Sequence, residues 1–375
     1  MATQSTDVLI IGGGVIGLSI ARALARRGCK QVIVIDRADF GSEASSAAGG
    51  MLAPQAEADK PDVFFDLACR SRDAYRQFAQ DLYDETGIDV QLEMTGTLYT
   101  AFTSKDVEEI GRRFEWQHQA GLAVQKLTAT EARELEPSIS PNLREALLFP
   151  KDVQVENRLL INALIISCER HGVCLMRDTI AHTVEVTARH ITGVITSRGF
   201  YSARITVVAG GAWTSSIVGL LPIPIEPVRG QMLCLQSDLQ IVRHVLYSPR
   251  GYVVPRRDGR LLAGSTTEHV GFTKTVTPAG IEAIKASTVE ISQSISSLPI
   301  VESWAGLRPR APDDLPVLGP CGEIEGLYYA TGHYRNGILL APITGDMIAG
   351  AIIDKQLPPL MSAFSADRFS PVSVN

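Results

Sequence analysis

Gly12, Gly14 and Gly17 stand at the spacing GxGxxG, directly after the apolar run "DVLII" (7–11) and before a helical pattern from Val15 to Arg27. A second apolar run, "QVIVIDR", ends near Asp36. Residues of these types in this order can bind a dinucleotide. Gly12 permits a tight turn, Gly14 lets the main chain approach a pyrophosphate, and Gly17 lets the helix pack close on the strand. The helix start offers unpaired N–H groups and a partial positive charge to phosphates. Asp36 would accept hydrogen bonds from ribose hydroxyls. A plain glycine bend in a βαβ unit is the alternative, and it gives Asp36 no role.

The stretch "GSEASSAAGGMLAP" (41–54) decides which dinucleotide is expected. A nicotinamide domain would usually pass promptly into its next βα unit. Here a long small-residue segment follows instead. Ser45 and Ser46 can donate to phosphate oxygens, and Ala47 to Gly50 lack bulk, so a flat ring could lie against the main chain. A surface loop is the alternative. Two later segments read as returns to the same domain: the strand and Gly-Gly turn of "RITVVAGGAWT" (204–214), and "GLYYATGHYRNGILLAPITGDMIAGAII" (326–353). The second is a strand, a polar glycine-bracketed loop and a hydrophobic helix starting near Leu339, whose N-terminal dipole would face whatever sits before that loop.

The chain that must position these residues has 375 residues, enough for about two domains. Apolar residues make up 45% and charged residues 20%, which suits a globular protein with a substantial core. The formal net charge of −6 gives no basic footprint for nucleic acid. The six cysteines form no CxxC pair and read as reduced thiols, so a cytoplasmic location is expected. The seven histidines form no HxxH or HxxxH cluster, so no metal site is predicted. The N-terminus lacks the pattern of a signal peptide. No apolar run reaches the ~18 residues of a membrane span. Residues 228–265 read as short strands, with an Asp-Gly hairpin signal in "RRDGR". Residues 278–294 read as a helix, "VESWAGLR" as a further strand, and the weakly patterned tail after Pro358 as loose.

The segments "IIGGGVIGLSIA", "SSAAGGML", "VVAGGAWT", "YVVPRRDGRLLAGST", "WAGLRPRAPDDLPVLG" and "TGHYRNGILLAPITG" together resemble the FAD-dependent D-amino-acid oxidase superfamily, and most closely its glycine oxidases of thiamine biosynthesis. The resemblance spans residues 8–345, and its last two segments are the specific ones. It implies a mixed α/β fold: a Rossmann-like FAD domain from residues 1–90, 150–220 and 320–360, interleaved with an antiparallel-sheet substrate domain from 91–149 and 221–319. It implies FAD contacts at Gly12, Gly14, Val15, Ile16 and Gly17, at Asp36 and Arg37, and at Ala44, Ser45, Ser46, Gly49, Gly50 and Met51. Further contacts would fall on Ala181, on Ala209, Gly210 and Trp213, and on His333, Tyr334, Arg335, Asn336, Gly337, Ile338 and Leu339. No cysteine sits in a recognised flavin-linking motif, so the FAD is expected to be noncovalent. A homotetramer is implied as well.

The reaction expected from this resemblance is oxidative deamination of glycine, related small amines or D-amino acids. Hydride would leave Cα for flavin N5, giving oxo acid, ammonia and hydrogen peroxide with dioxygen as co-substrate. No general base is needed if the amine enters neutral. A quinone-linked D-amino-acid dehydrogenase and a flavin subunit of a hetero-oligomeric amine oxidase are the alternatives. Arg308, in "GLRP" at the end of an apolar strand, is the candidate carboxylate partner, since its planar fork can grip a carboxylate with two hydrogen bonds. An internal salt bridge to Asp313 or Asp314 is its alternative. Tyr252 and Arg335 fall on the family's substrate tyrosine and flavin-site arginine. Core packing and nearby carbonyls are their respective alternatives. Arg250, Thr267 and Arg310 depart from the glycine oxidase pattern at positions expected near the pocket, and so bear on substrate choice.

Overall fold

The computed structural model describes residues 3–369. Two eight-stranded sheets organise it. The first is built on parallel strands in the order Leu327–Thr331, Gly199–Val208, Thr3–Ile11, Val32–Ile35 and Cys174–Met176, with Val317–Pro320 antiparallel at one edge. Its central strands are apolar on both faces because both are covered. Val8 and Ile10 pack into the helix-side core, while Leu9 and Ile11 pack into the opposite one. Val32 and Val34 alternate with Ile33 and Ile35 in the same way. The helix side holds Val15–Arg26, Val63–Thr86, Asn157–Arg170 and Gly337–Ile353. The other side is covered by the hairpin Ala181–Thr187 and His190–Thr196, which continues antiparallel from Gly199–Val208.

The second sheet runs Ile300–Arg310, Glu226–Gln236, Arg260–Gly264, Gly251–Pro255, Val245–Ser248, Thr97–Ala101, Glu145–Phe149 and Gln125–Thr128. All its neighbours pair antiparallel except Val245–Ser248 with Thr97–Ala101. The mixed α/β class expected from the sequence is observed. So are the helix from Val15, the strands of 228–265, the helix Pro278–Ile291 and the strand containing "VESWAGLR".

The tail differs from its expected looseness. Met361, Phe364 and Ala366 are buried, and Leu318 donates to the Phe364 carbonyl at 2.8 Å. A few apolar residues without periodicity suffice to seal a sheet edge. Residues 370–375 lie outside the described residues. No described helix is long and apolar enough to cross a membrane.

Candidate active site

Two chambers meet at Gly14, Ala44, Ser45, Ala209 and Gly211. With the open solvent at their mouths included, they span about 1170 and 1200 Å³, and their junction at these shared residues suits an extended ligand. One is lined by Gly12, Asp36, Arg37, Ala181, Gly210 and Trp213, with Thr179, Ile180 and His182 as wall residues that no sequence motif marks. Gly12 takes a φ of +106°, and a β-carbon there would fall 2.3 Å from the Ala209 carbonyl oxygen. A β-carbon on Gly17 would fall 1.9 Å from the Gly12 carbonyl oxygen. Gly17 therefore shapes the turn from behind and does not line either chamber. Asp36 accepts from the N–H of Gly13 at 2.7 Å and of Ala38 at 2.9 Å, which fixes its carboxylate at the strand end. Burial raises its pKa against those two donors. Arg37 lies over the Trp213 ring at 3.9 Å, an open-edged stack of a cation on an aromatic face.

The loop 44–51 borders the second chamber, and its carbonyls are held from outside. Asn157 donates to the Ser45 and Ser46 carbonyls at 2.8 and 3.0 Å, Trp304 to Ala47 at 3.0 Å, and Arg256 to Gly49 at 2.9 Å. Val155 N–H donates to Gly50 at 2.9 Å. Ala44, Ser45, Gly49, Gly50 and Met51 line the chamber. Ser45 Oγ accepts from the Val15 N–H at 3.0 Å and keeps its own proton free to donate. Ser46 does not line either chamber, and its hydroxyl donates to the Glu43 carbonyl at 3.1 Å.

One face of the strand Ile300–Arg310 serves both loop and chamber, because alternate residues share a side. Trp304 pins Ala47, and Gly306 lets the loop approach, since a β-carbon there would meet Ala47 Cβ at 2.6 Å. Arg308 reaches into the chamber. Its guanidinium donates to Ser265 Oγ at 2.6 Å and to the Thr266 carbonyl at 3.1 Å. It makes no salt bridge among the described residues. The acids that were its alternative partners are taken: Asp314 by Arg310 at 2.5 Å and Asp313 by Arg368 at 2.8 Å. Tyr252 also lines the chamber, facing Gly49, and its hydroxyl points to the Met232 thioether at 3.2 Å. Gly264 pairs with both residues and makes room for that contact.

Arg335 lies at the rim of the chamber, where it meets Glu57 at 3.4 Å and the Tyr247 hydroxyl at 3.3 Å. Glu57 was not marked by any motif. The three departures from the family pattern do not line the chamber. Arg250 pairs with Asp106 at 2.7 Å and Glu290 at 2.5 Å, Arg310 pairs with Glu226 at 2.7 Å, and Thr267 is exposed. A turn residue and the far end of a strand both carry their side chains past the chamber's edge.

The helix Gly337–Ile353 starts at the chamber, two residues earlier than expected, with Asn336, Gly337 and Ile338 in its wall. Leu339 is core instead. Pro342 lacks an N–H, so the Ile338 carbonyl has no donor one turn on. Tyr75 donates its hydroxyl to that carbonyl, and Ser71 donates to the Leu339 carbonyl at 2.6 Å. His333 and Tyr334 line the chamber as well. Burial pushes the His333 imidazole down to about 3, so it is neutral, and its Nε2 meets Thr344 Oγ1 at 3.2 Å.

This donor set fits FAD. Two helix N-termini, a glycine turn open to close approach, an anchored Asp36 and a small-residue loop meet in one continuous space. Among the described residues, no cysteine lines either chamber. Among the described residues, no cluster of three or more His, Cys, Asp or Glu could hold a metal ion.

Comparison with known proteins agrees with the geometry. The family model described as FAD dependent oxidoreductase, DAO, matches residues 7–351. A bifunctional ThiO/ThiG protein of Synechocystis is 36% identical over 97% of the chain, which spans 54% of that protein. The chain thus spans about half the length of the first relatives it matches. A glycine oxidase of Geobacillus kaustophilus is 34% identical, with 98% of each chain covered. The crystal structure of a glycine oxidase from Bacillus cereus superposes with a TM-score of 0.91 at 34% identity, covering 98% of this chain and all of the other. The resemblance read from the sequence is borne out: the chain belongs to the DAO family of FAD-dependent oxidoreductases.

Proposed function

We propose that this chain oxidises small monocarboxylate amines, glycine first among them, to imines that hydrolyse to oxo acid and ammonia. The observation that carries this reading is Arg308, a guanidinium without a salt bridge among the described residues, which lines a chamber walled by small residues. Bound noncovalently, FAD supplies a two-electron acceptor that dioxygen restores, with hydrogen peroxide as product. Arg308 would grip the substrate carboxylate through the N–H donors not given to Ser265 and Thr266. Tyr252, Met232 and Gly49 would confine the α-carbon. Ser45 and the start of Val15–Arg26 would hold the pyrophosphate, and Asp36 the ribose. The Gly337–Ile353 helix start would favour negative charge at the ring edge it faces.

No general base is assigned, because the titratable groups near the reacting carbon are engaged. Glu57 is paired with Arg335, and burial lowers the His333 pKa to about 3, which leaves it too weakly basic to take a proton from an ammonium. The amine would therefore enter neutral. The likeness to proteins named glycine oxidase supports the substrate class. The likeness to ThiO/ThiG proteins supports a place in thiamine biosynthesis. A cytoplasmic homotetramer is part of the same proposal.

Oxygen uptake by the purified single chain tests it, with glycine, sarcosine, D-alanine, D-proline and L-amino acids as substrates. Peroxide formation with glycine or sarcosine is the expected result. Dye reduction without oxygen uptake would favour a quinone-linked dehydrogenase, and no turnover by the single chain a hetero-oligomeric subunit.

A further inference from the structure

Among the described residues, the charged ones that line the chamber bordered by the loop 44–51 are Arg308, Arg335 and Glu57. Two cations face one anion, and His333 adds no charge. The two arginines are brought to one space by adjoining backbone segments. Tyr334 N–H donates to the Pro309 carbonyl at 2.8 Å, and Arg310 bridges His333. Glu57 comes from the short helix Pro54–Glu57, which is tied down firmly. Ala56 N–H donates to Asp152 at 2.8 Å, and Arg113 donates to the Ala56 carbonyl at 2.9 Å. Glu57 is thus held 3.4 Å from Arg335 by the fold, and its charge is the main cause that raises the arginine's pKa.

We propose that Glu57 sets the charge selectivity of the chamber by occupying Arg335, so that ligands with one carboxylate are accepted and those with two are rejected. The carboxylate of Glu57 stands where a second ligand carboxylate would otherwise meet Arg335. It both neutralises that cation and repels an incoming anion. Specificity of this kind rests on a repulsive group as much as on an attractive one. The inference depends on the reading of this chamber as the substrate's.

The test is titration of the FAD-loaded protein with glycolate and with malonate, followed by calorimetry and by the flavin absorption spectrum. Wild type should favour glycolate. In Glu57→Gln the ratio of malonate to glycolate affinity should rise about twofold to fivefold, the scale of one partly exposed charge pair. The double variant Glu57→Gln/Arg335→Met should lose that gain. Turnover should follow, with D-aspartate gaining on D-alanine in Glu57→Gln. An unchanged ratio in Glu57→Gln, or a gain that survives loss of Arg335, overturns the inference. Arg308→Ala in the same titration separates the two levels. If glycolate binding needs Arg308 but the ratio ignores Glu57, only the role of Glu57 falls. If glycolate binding ignores Arg308, the chamber's assignment falls, and the role of Glu57 with it.

Discussion

The guanidinium of Arg308 lies against the bare face of Gly230, with its terminal atoms 2.3–2.4 Å from where a β-carbon on that glycine would sit. The two strands are register neighbours, with Gly230 opposite Gly306 and Val228 opposite Arg308. Gly230→Ala should therefore displace the guanidinium and leave the sheet intact. The atoms that must move end a flexible side chain, and Ala relieves a strand of glycine's entropic cost of about 0.5–1 kcal/mol. The expected outcome is a KM for glycine raised about tenfold, equivalent to ~1.4 kcal/mol, with no loss of stability. Steady-state kinetics beside thermal unfolding checks it. Unchanged KM would mean that Arg308 does not work from the position described.

Arg308 itself should carry most of the carboxylate binding. Loss of a buried, charge-assisted partner costs roughly 2–5 kcal/mol by analogy with buried pairs at interfaces. That corresponds to about a thirtyfold to several-thousandfold loss of kcat/KM in Arg308→Ala. Arg308→Lys should recover only part, since an ammonium lacks the planar fork. The comparison uses glycine, sarcosine and D-alanine, with FAD content measured for each variant. Near-normal kcat/KM in an FAD-replete Arg308→Ala would sink the assignment.

The nucleotide turn was legible because its constraints are local. Gly12, Gly14 and Gly17 act within a few residues of each other, and the periodicity of the flanking strand and helix frames them. The chamber was legible only where family likeness supplied positions such as Arg308 and Tyr252. Glu57 and Met232 carried no signal, because their importance comes from which distant segment they meet. Arg335 finds Glu57, and Met232 finds Tyr252, across elements remote in sequence. Arg250 misled for the converse reason. It is two residues from Tyr252 in sequence, yet it sits in the turn before the strand and reaches Asp106 on another helix. Sequence distance does not say where a turn points its side chain. The capping box in which Thr103 and Asp106 start a helix marks Asp106 locally, but nothing local marks its arginine partner.

Tyr75 should stabilise the fold through one hydrogen bond that Pro342 makes necessary. The Ile338 carbonyl lacks a helical donor, and Tyr75 supplies it from the packed helix Val63–Thr86. Tyr75→Phe leaves that carbonyl buried and unpaired, at a cost of about 1–3 kcal/mol. Pro342→Ala restores a main-chain donor, so the double variant Tyr75→Phe/Pro342→Ala should regain part of the loss. Denaturant unfolding of the single and double variants measures this coupling. Strictly additive losses would show that Tyr75 acts by packing alone.

The last prediction concerns pH, through His333. Burial drives its pKa to about 3 in the folded chain, well under the ordinary value of 6.5. The unfolded chain therefore binds a proton at a pH where the folded chain does not. Stability from this group is complete above about pH 6.5 and is lost as pH falls from there toward about 3. Within that window the slope approaches about 1.4 kcal/mol per pH unit, the limit for one proton. His333→Gln removes the titration while keeping a polar group beside Thr344, whose Oγ1 sits 3.2 Å from the native ring nitrogen. The variant starts less stable at neutral pH, but its stability should fall more gently between pH 6.5 and 5. Unfolding free energies of both proteins across that range decide the matter. Equal slopes would mean that His333 titrates alike in the folded and unfolded chains, and that burial does not lower its pKa.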